Sequence, residues 1–74
     1  MSSENISIRI AKLRKESGLS QSQLGDKLGL SQDTISNMER GRRTTTTEKI
    51  IEIANFFNVS SDYLLGISDS RERK

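Results

Sequence analysis

Gln32, Asp33, Ser36, Asn37 and Arg40 fall at i, i+1, i+4, i+5 and i+8, which puts five hydrogen-bonding side chains on one stripe of a helix. Gln and Asn can each pair in a bidentate way with N6 and N7 of adenine, Asp can accept from N4 of cytosine, and Ser suits either role. The amide, carboxylate and hydroxyl side chains are short, so they would act only by close approach to a groove floor. Asp33, at the second helical position, equally suits the helix dipole, and its residue type leaves both roles open. Around the stripe stand groups that could hold phosphate: a helix start at Ser20 and Gln21, the Arg42-Arg43 pair, and the hydroxyls of the Thr44–Thr47 run.

Other chemistries are poorly served. The chain has no His and no Cys, so the commonest general base at neutral pH, the thiolate nucleophile and the usual zinc ligands are all missing. No glycine-rich phosphate loop and no convincing carboxylate pair occurs. Asp26 and Asp33 flank a turn but have no evident reason to titrate abnormally. The expectation is therefore a protein that is not an enzyme and needs no metal or cofactor.

The 74 residues make one small domain that must use its core economically. Hydrophobic residues are 31%, charged residues 30%, and there is no Pro; mean hydropathy is −0.64. No apolar run reaches the roughly 18 residues of a membrane span, and the opening Met-Ser-Ser-Glu-Asn-Ile-Ser does not read as a signal peptide. The net charge of +2 hides a polarity. Residues 1–45 carry eight basic and five acidic groups, residues 46–70 one basic and four acidic, and the last four three basic and one acidic. A basic front suits a polyanion such as nucleic acid.

The elements that would position these groups are helices. Ile6, Ile10 and Leu13 mark one face of a first helix that runs to about Glu16 and stops at Ser17-Gly18. Ser20 with Gln23 spells a capping box, Leu24 and Leu28 form the buried edge of a second helix, and Gly29 suits its left-handed end. After Leu30, Ser31 caps a third helix from Gln32 to about Arg40, with Ile35 and Met38 inward. A fourth starts near Thr47, capped by Thr45 or Thr46, with Ile50, Ile51, Ile53, Ala54 and Phe57 as the floor of the core. Ser60 caps a short fifth helix with Tyr63, Leu64 and Leu65, closed by Gly66. Residues 68–74 have no apolar partner, which predicts a domain over 1–67 and a flexible charged tail over 68–74.

Two short helices joined by a tight turn containing Gly outline a helix-turn-helix. Here these are the second and third helices, with Gly29-Leu30-Ser31 as the turn. Gly25, in the middle of the second helix, costs about 1 kcal/mol of propensity relative to Ala. It is either an accident or the mark of a close crossing by the third helix.

The register Leu19-Ser20-Gln21, Leu24, Leu28-Gly29-Leu30-Ser31, Ile35-Ser36, Met38-Glu39-Arg40-Gly41, Ile53-Ala54, Asn58-Val59-Ser60 and Asp62-Tyr63-Leu64-Leu65-Gly66 resembles the lambda-repressor-like family of helix-turn-helix proteins, the Cro/repressor or XRE-type regulators. The likeness covers about residues 6–66. It implies an all-α, compact five-helix DNA-binding domain and a sequence-specific transcriptional regulator, of the repressor type found in phages and mobile elements. Such a protein would bind double-stranded operator DNA as a homodimer on a pseudo-palindrome, in a bacterial or phage cytoplasmic setting.

Carried over by position, Gln32, Asp33, Ser36 and Asn37 would read bases. Gln21 would touch phosphate and brace Gln32, and Ser20, Ser31, Thr34, Arg40, Arg42, Arg43 and Thr44 would join it in positioning the backbone. Arg14 and Glu39 would form an ion pair between the first and third helices, and Asn58, Val59, Ser61 and Leu65 would lie where many members dimerise. Two positions depart from the pattern: Gly25 where Ala is common, and no Pro in the loop before the fourth helix. A second expectation is a protein-interaction module of the antitoxin kind, which would use the acidic back from Glu48 to Asp69 to hold a protein partner and bind DNA only to control its own operon.

Overall fold

Every helix among the described residues begins where a short polar side chain can take over an orphaned backbone N–H. The computed structural model describes residues 5–42 and 45–72. Among these the regular elements are five helices: α1 (Ile6–Glu16), α2 (Gln21–Leu28), α3 (Gln32–Glu39), α4 (Thr47–Phe57) and α5 (Ser61–Leu64). Asn5, Ser20, Ser31, Thr46 and Ser60 each accept from the backbone N–H three residues on. At α2 the box is complete, since Ser20 N–H donates to Gln23 Oε1 at 2.8 Å. Of the two threonines open as caps for α4, Thr46 is the one used.

The helix ends are as regular as the starts. Each is closed by an N–H that reaches back five residues: Leu19 to Arg14 O, Leu30 to Gly25 O, Arg42 to Asn37 O, Val59 to Ala54 O and Ile67 to Asp62 O. This closure needs a left-handed residue just before the donor. Gly29 supplies it in the α2–α3 turn at φ +70°. After α4 the position is Asn58 at φ +56°, a residue whose short amide side chain tolerates this region better than most.

Ile10, Leu13, Leu24, Leu28, Ile35, Met38, Ile53, Ala54, Val59, Tyr63 and Leu64 form one core drawn from all five helices, with Ile6, Leu19, Leu30, Ile50 and Phe57 packed on its edge. The broad apolar face expected of α4 is narrower than its sequence suggests. Ile53 and Ala54 are buried, but Ile51 is 48% exposed, because it lies about 160° around the helix from Ile53.

Gly25 marks a close approach, although not by the body of α3. A Cβ at this position would overlap the carbonyl oxygen of Leu30 and stand 3.4 Å from the carbonyl carbon of Ser31, so it is the turn that needs the space. Lys49 of α4 reaches the same region, where its Nζ donates to Leu28 O at 3.2 Å at the end of α2.

The C-terminal segment returns to the helices. Residues 68–72, the described part of the expected tail, lie against them. Ser60 N–H donates to Arg71 O at 3.0 Å, Ser60 Oγ to Ser70 O at 3.2 Å, and Arg71 pairs with both carboxylate oxygens of Glu16 at 2.7 and 2.9 Å. Apolar patterning gives no sign of this return because polar contacts hold it.

Candidate nucleic-acid interface

Ile35 and Met38 are buried under α3, and this fixes which side of the helix looks outward. Gln32 and Asp33 are exposed, Ser36 and Asn37 half-exposed, and Arg40 is exposed at the helix end. The four residues expected to read bases therefore share an accessible stripe on a helix backed by the core. Arg42 follows as an exposed cation. Arg43 and Thr44, both expected phosphate ligands, lie outside the described residues.

A polar cluster sets the orientation of that stripe. Arg14 of α1 grips Glu39 of α3 with two parallel bonds, Nε to Oε2 at 2.6 Å and Nη2 to Oε1 at 3.0 Å. The side chains are 12% and 7% exposed. The same guanidinium donates from Nη1 to Leu19 O at 2.8 Å, in the link between α1 and α2. The hydrogen bond to Glu39 raises the pKa of Arg14 above its ordinary value, against the opposing effect of desolvation. The expected ion pair is present.

Gln21 also belongs to this cluster. Its Nε2 donates to Glu39 Oε1 at 3.1 Å, so in the DNA-free protein its donor goes to Glu39 and not to Gln32, the partner the family likeness suggested. One carboxylate thus ties α1, α2 and α3 together. Fork-shaped Arg–carboxylate pairs define direction as well as attraction.

Capping already engages several of the expected phosphate ligands. Ser20 Oγ accepts from Gln23 N–H, which leaves its own O–H able to donate outward. Ser31 Oγ accepts from Thr34 N–H and lies 2.9 Å from Thr34 Oγ1. Thr34 is half-buried, so this pair shapes the start of α3 more than it presents free donors.

Of the positions expected at a dimer contact, Asn58 and Leu65 are exposed and Ser61 is half-buried. Val59 is not available: at 4% exposure it belongs to the core, because the left-handed Asn58 turns the chain inward after α4. Leu65, 44% exposed, borders an apolar cleft of about 210 Å³ that Ile6, Ile10, Met38 and Ile50 also line.

Arg9 is a buried residue that the expected site does not include. It is 1% exposed and its bonds to distant acceptors include Nη1 to Tyr63 O at 2.7 Å and to Ser68 O at 2.6 Å, and Nη2 to Asp69 Oδ1 at 2.7 Å. Its guanidinium carbon lies 4.3 Å from the centroid of the Tyr63 ring. A signal was there, since Arg9 stands three residues after Ile6 and four before Leu13, on the core-facing register of α1.

Among the described residues no group of His, Cys, Asp or Glu could hold a metal ion, and no helix is long and apolar enough to cross a membrane.

Comparison with known proteins agrees with this geometry. A family model described as helix-turn-helix matches residues 10–64. The HTH-type transcriptional regulator ImmR of Bacillus subtilis (strain 168) is 36% identical over 58 residues, covering 78% of this chain and 46% of that protein. The HTH-type transcriptional regulator y4dJ of Sinorhizobium fredii (strain NBRC 101917 / NGR234) is 39% identical over 59 residues, covering 80% and 77%. The chain spans about half the length of most of these curated relatives. Among solved structures, the P22 c2 repressor in complex with a synthetic operator superposes with a TM-score of 0.81 at 29% identity, over 89% of this chain and all of that one. The all-α, repressor-like fold expected from the sequence is thus the fold observed.

Proposed function

The chain belongs to the helix-turn-helix family of transcriptional regulators, and from that premise we propose that it binds operator DNA with α3 in the major groove. The observation that carries this reading is the outward stripe of Gln32, Asp33, Ser36 and Asn37 on a helix held by the Arg14–Glu39–Gln21 cluster. In this reading the four side chains meet base edges. Ser20, Gln21, Arg40 and Arg42, with Arg43 and Thr44, meet phosphates on either side and set the register. Ser31 and Thr34 hold the start of α3. Function is occupancy of a site that blocks or recruits polymerase, and it requires no reaction. The proposed setting is the cytoplasm of a bacterium or of a phage-infected cell.

We place a second copy on the DNA through the surface of Asn58, Ser61 and Leu65. The two reading helices would then meet a pseudo-palindrome whose half-sites lie about 34–36 Å apart. The exposed Leu65 beside an apolar cleft supports this choice.

In-vitro selection of bound duplexes tests the reading. The expected outcome is enrichment of a two-fold symmetric site. Asn37→Ala should then relax the preference at one position per half-site, worth about 1–3 kcal/mol, while Arg42→Ala weakens all duplexes alike. Absence of enrichment at low salt would overturn the proposal and favour a module that binds protein.

A further inference from the structure

The contacts of Arg9 reach a segment to which the DNA-reading stripe gives no role. Residues 67–72 lie along α1 from Arg9 to Glu16: Ser68 O and Asp69 Oδ1 receive the Arg9 guanidinium, and Arg71 clasps Glu16 at the last turn. The ring of Tyr63 on α5 meets both arginines, at 4.3 Å from Arg9 and 5.0 Å from Arg71. A buried guanidinium is an expensive way to fill a core position, and an apolar side chain of similar volume would often serve stability as well. What an arginine adds is a fixed set of donor directions. These select one placement of α1 against α5 and the C-terminal segment.

Arg9 and Arg14 stand on the same short helix, about 140° apart around its axis and about 7.5 Å apart along it. Arg9 faces α5 and the returning segment; Arg14 faces α3 and holds Glu39. α1 is therefore gripped from two sides by two guanidiniums, and Arg14 is the one that holds a carboxylate of the helix that carries the reading stripe.

We infer that Arg9, Asp69 and Arg71 are positioning residues for DNA reading. The C-terminal segment is a strap that fixes α1, and α1 through Arg14 fixes the angle of α3. This inference rests on the DNA-binding reading above and gives residues 67–72 a part in it. It also follows that force or a partner lifting the strap would loosen α3 without touching DNA.

The test uses the full chain with Asp69→Asn and Arg71→Gln together. The two changes leave net charge unaltered, so non-specific attraction to DNA is preserved. Asp69 is 77% exposed and Arg71 is also solvent-accessible, so neither change leaves a cavity. The first readout needs no DNA: hydrogen exchange at Arg14 Nε–H, followed by nitrogen-15 NMR, with Glu39→Gln as the reference for a directly weakened bond. Exchange should speed up by about three- to tenfold, the size typical of changes transmitted through a packed chain of contacts. The second readout is the ratio of affinities for the selected site and a scrambled duplex, which should fall by a similar factor of about three to ten, while affinity for the scrambled duplex stays within about twofold.

Unchanged Arg14 Nε–H exchange in a variant that melts earlier would overturn the inference, because the strap would then brace α5 alone. If the double change unfolds the chain, Asp69→Asn by itself is read by the same two measurements. If the native protein prefers no duplex, the DNA-binding proposal falls, and the exchange measurement still decides the coupling between strap and α3.

Discussion

Glu39 is the residue on which three helices converge, and its chemistry separates stability from orientation. Its carboxylate holds Arg14 by a two-point pair and accepts from Gln21, with little of either charged side chain in water. Removing one partner leaves the other charge desolvated, which for buried pairs costs about 3–5 kcal/mol. Glu39→Met should fall near the lower end, since Arg14 keeps its bond to Leu19 O and some contact with solvent. The domain as a whole is stabilised by only about 4–11 kcal/mol at the usual value per residue, so urea denaturation will show the loss plainly. Arg14→Met combined with Glu39→Met should recover most of it, because two apolar side chains replace two desolvated charges. A double variant no more stable than Glu39→Met would mean that the pair itself, and not relief of a stranded charge, sets the cost. The sequence made this pair visible through family likeness alone; nothing in the local pattern of Arg14 or Glu39 points across 25 residues to the other.

At the scale of elements, the turn between α2 and α3 is set by what Gly25 lacks. Leu30 O sits where a Cβ would go, so a larger residue must push the turn outward and α3 with it. Gly25→Val should destabilise the domain by about 1–3 kcal/mol, as overpacking does, despite the gain in intrinsic helix propensity; thermal melting checks this. The strap offers a second element to probe, through pH. Hydrogen bonds from Arg71 lower the Glu16 carboxyl below its ordinary pKa, with desolvation opposing and the charges of Arg71 and Lys12 assisting. A carboxyl lowered in the folded state contributes stability that is fully present above its unfolded value of about 4.3. That contribution disappears as pH falls through the lower folded value. Glu16→Gln should therefore flatten the acid limb of the stability curve, and high salt should do so in part because the pair is exposed. These elements were legible to very different degrees. The N-caps of α2 to α5 and the glycines at helix ends act within a few residues, so Ser20-x-x-Gln23 and Gly29 announce themselves. The strap is a return over more than 50 residues held by polar groups, and residue type assigns Arg9 to the surface although its register on α1 faces the core. Ile51 fails the other way, because its apolar type implies burial on a helix with more apolar residues than one face can cover.

For the whole molecule, charge polarity is the property that reaches a partner first. Lys12, Lys15, Lys27, Arg40 and Arg42 are exposed on or beside α1–α3, whereas Arg9 and Arg14 are turned inward onto carboxylates, and Glu48, Glu52 and Asp62 stand exposed on α4 and α5. Close to a polyanion the exposed cations of α1–α3 are attracted and the carboxylates of α4 and α5 repelled. Each phosphate contact releases condensed counterions, so the logarithm of the binding constant falls with the logarithm of salt by about 0.9 for every phosphate neutralised. Counting those contacts also counts protomers. If Arg42 meets one phosphate in each copy, Arg42→Ala should reduce the slope by about 1.8 on a two-fold site and by about 0.9 on an isolated half-site. Glu48→Gln should leave the slope nearly unaltered, since α4 carries no proposed phosphate ligand. Fluorescence anisotropy across a salt series, on the full and half sites, reads all of these slopes. A reduction of about 0.9 on the full site would mean one protomer per duplex, and the two-fold arrangement would fall. No reduction on either site would remove Arg42 from the interface and leave the basic front to act through other residues.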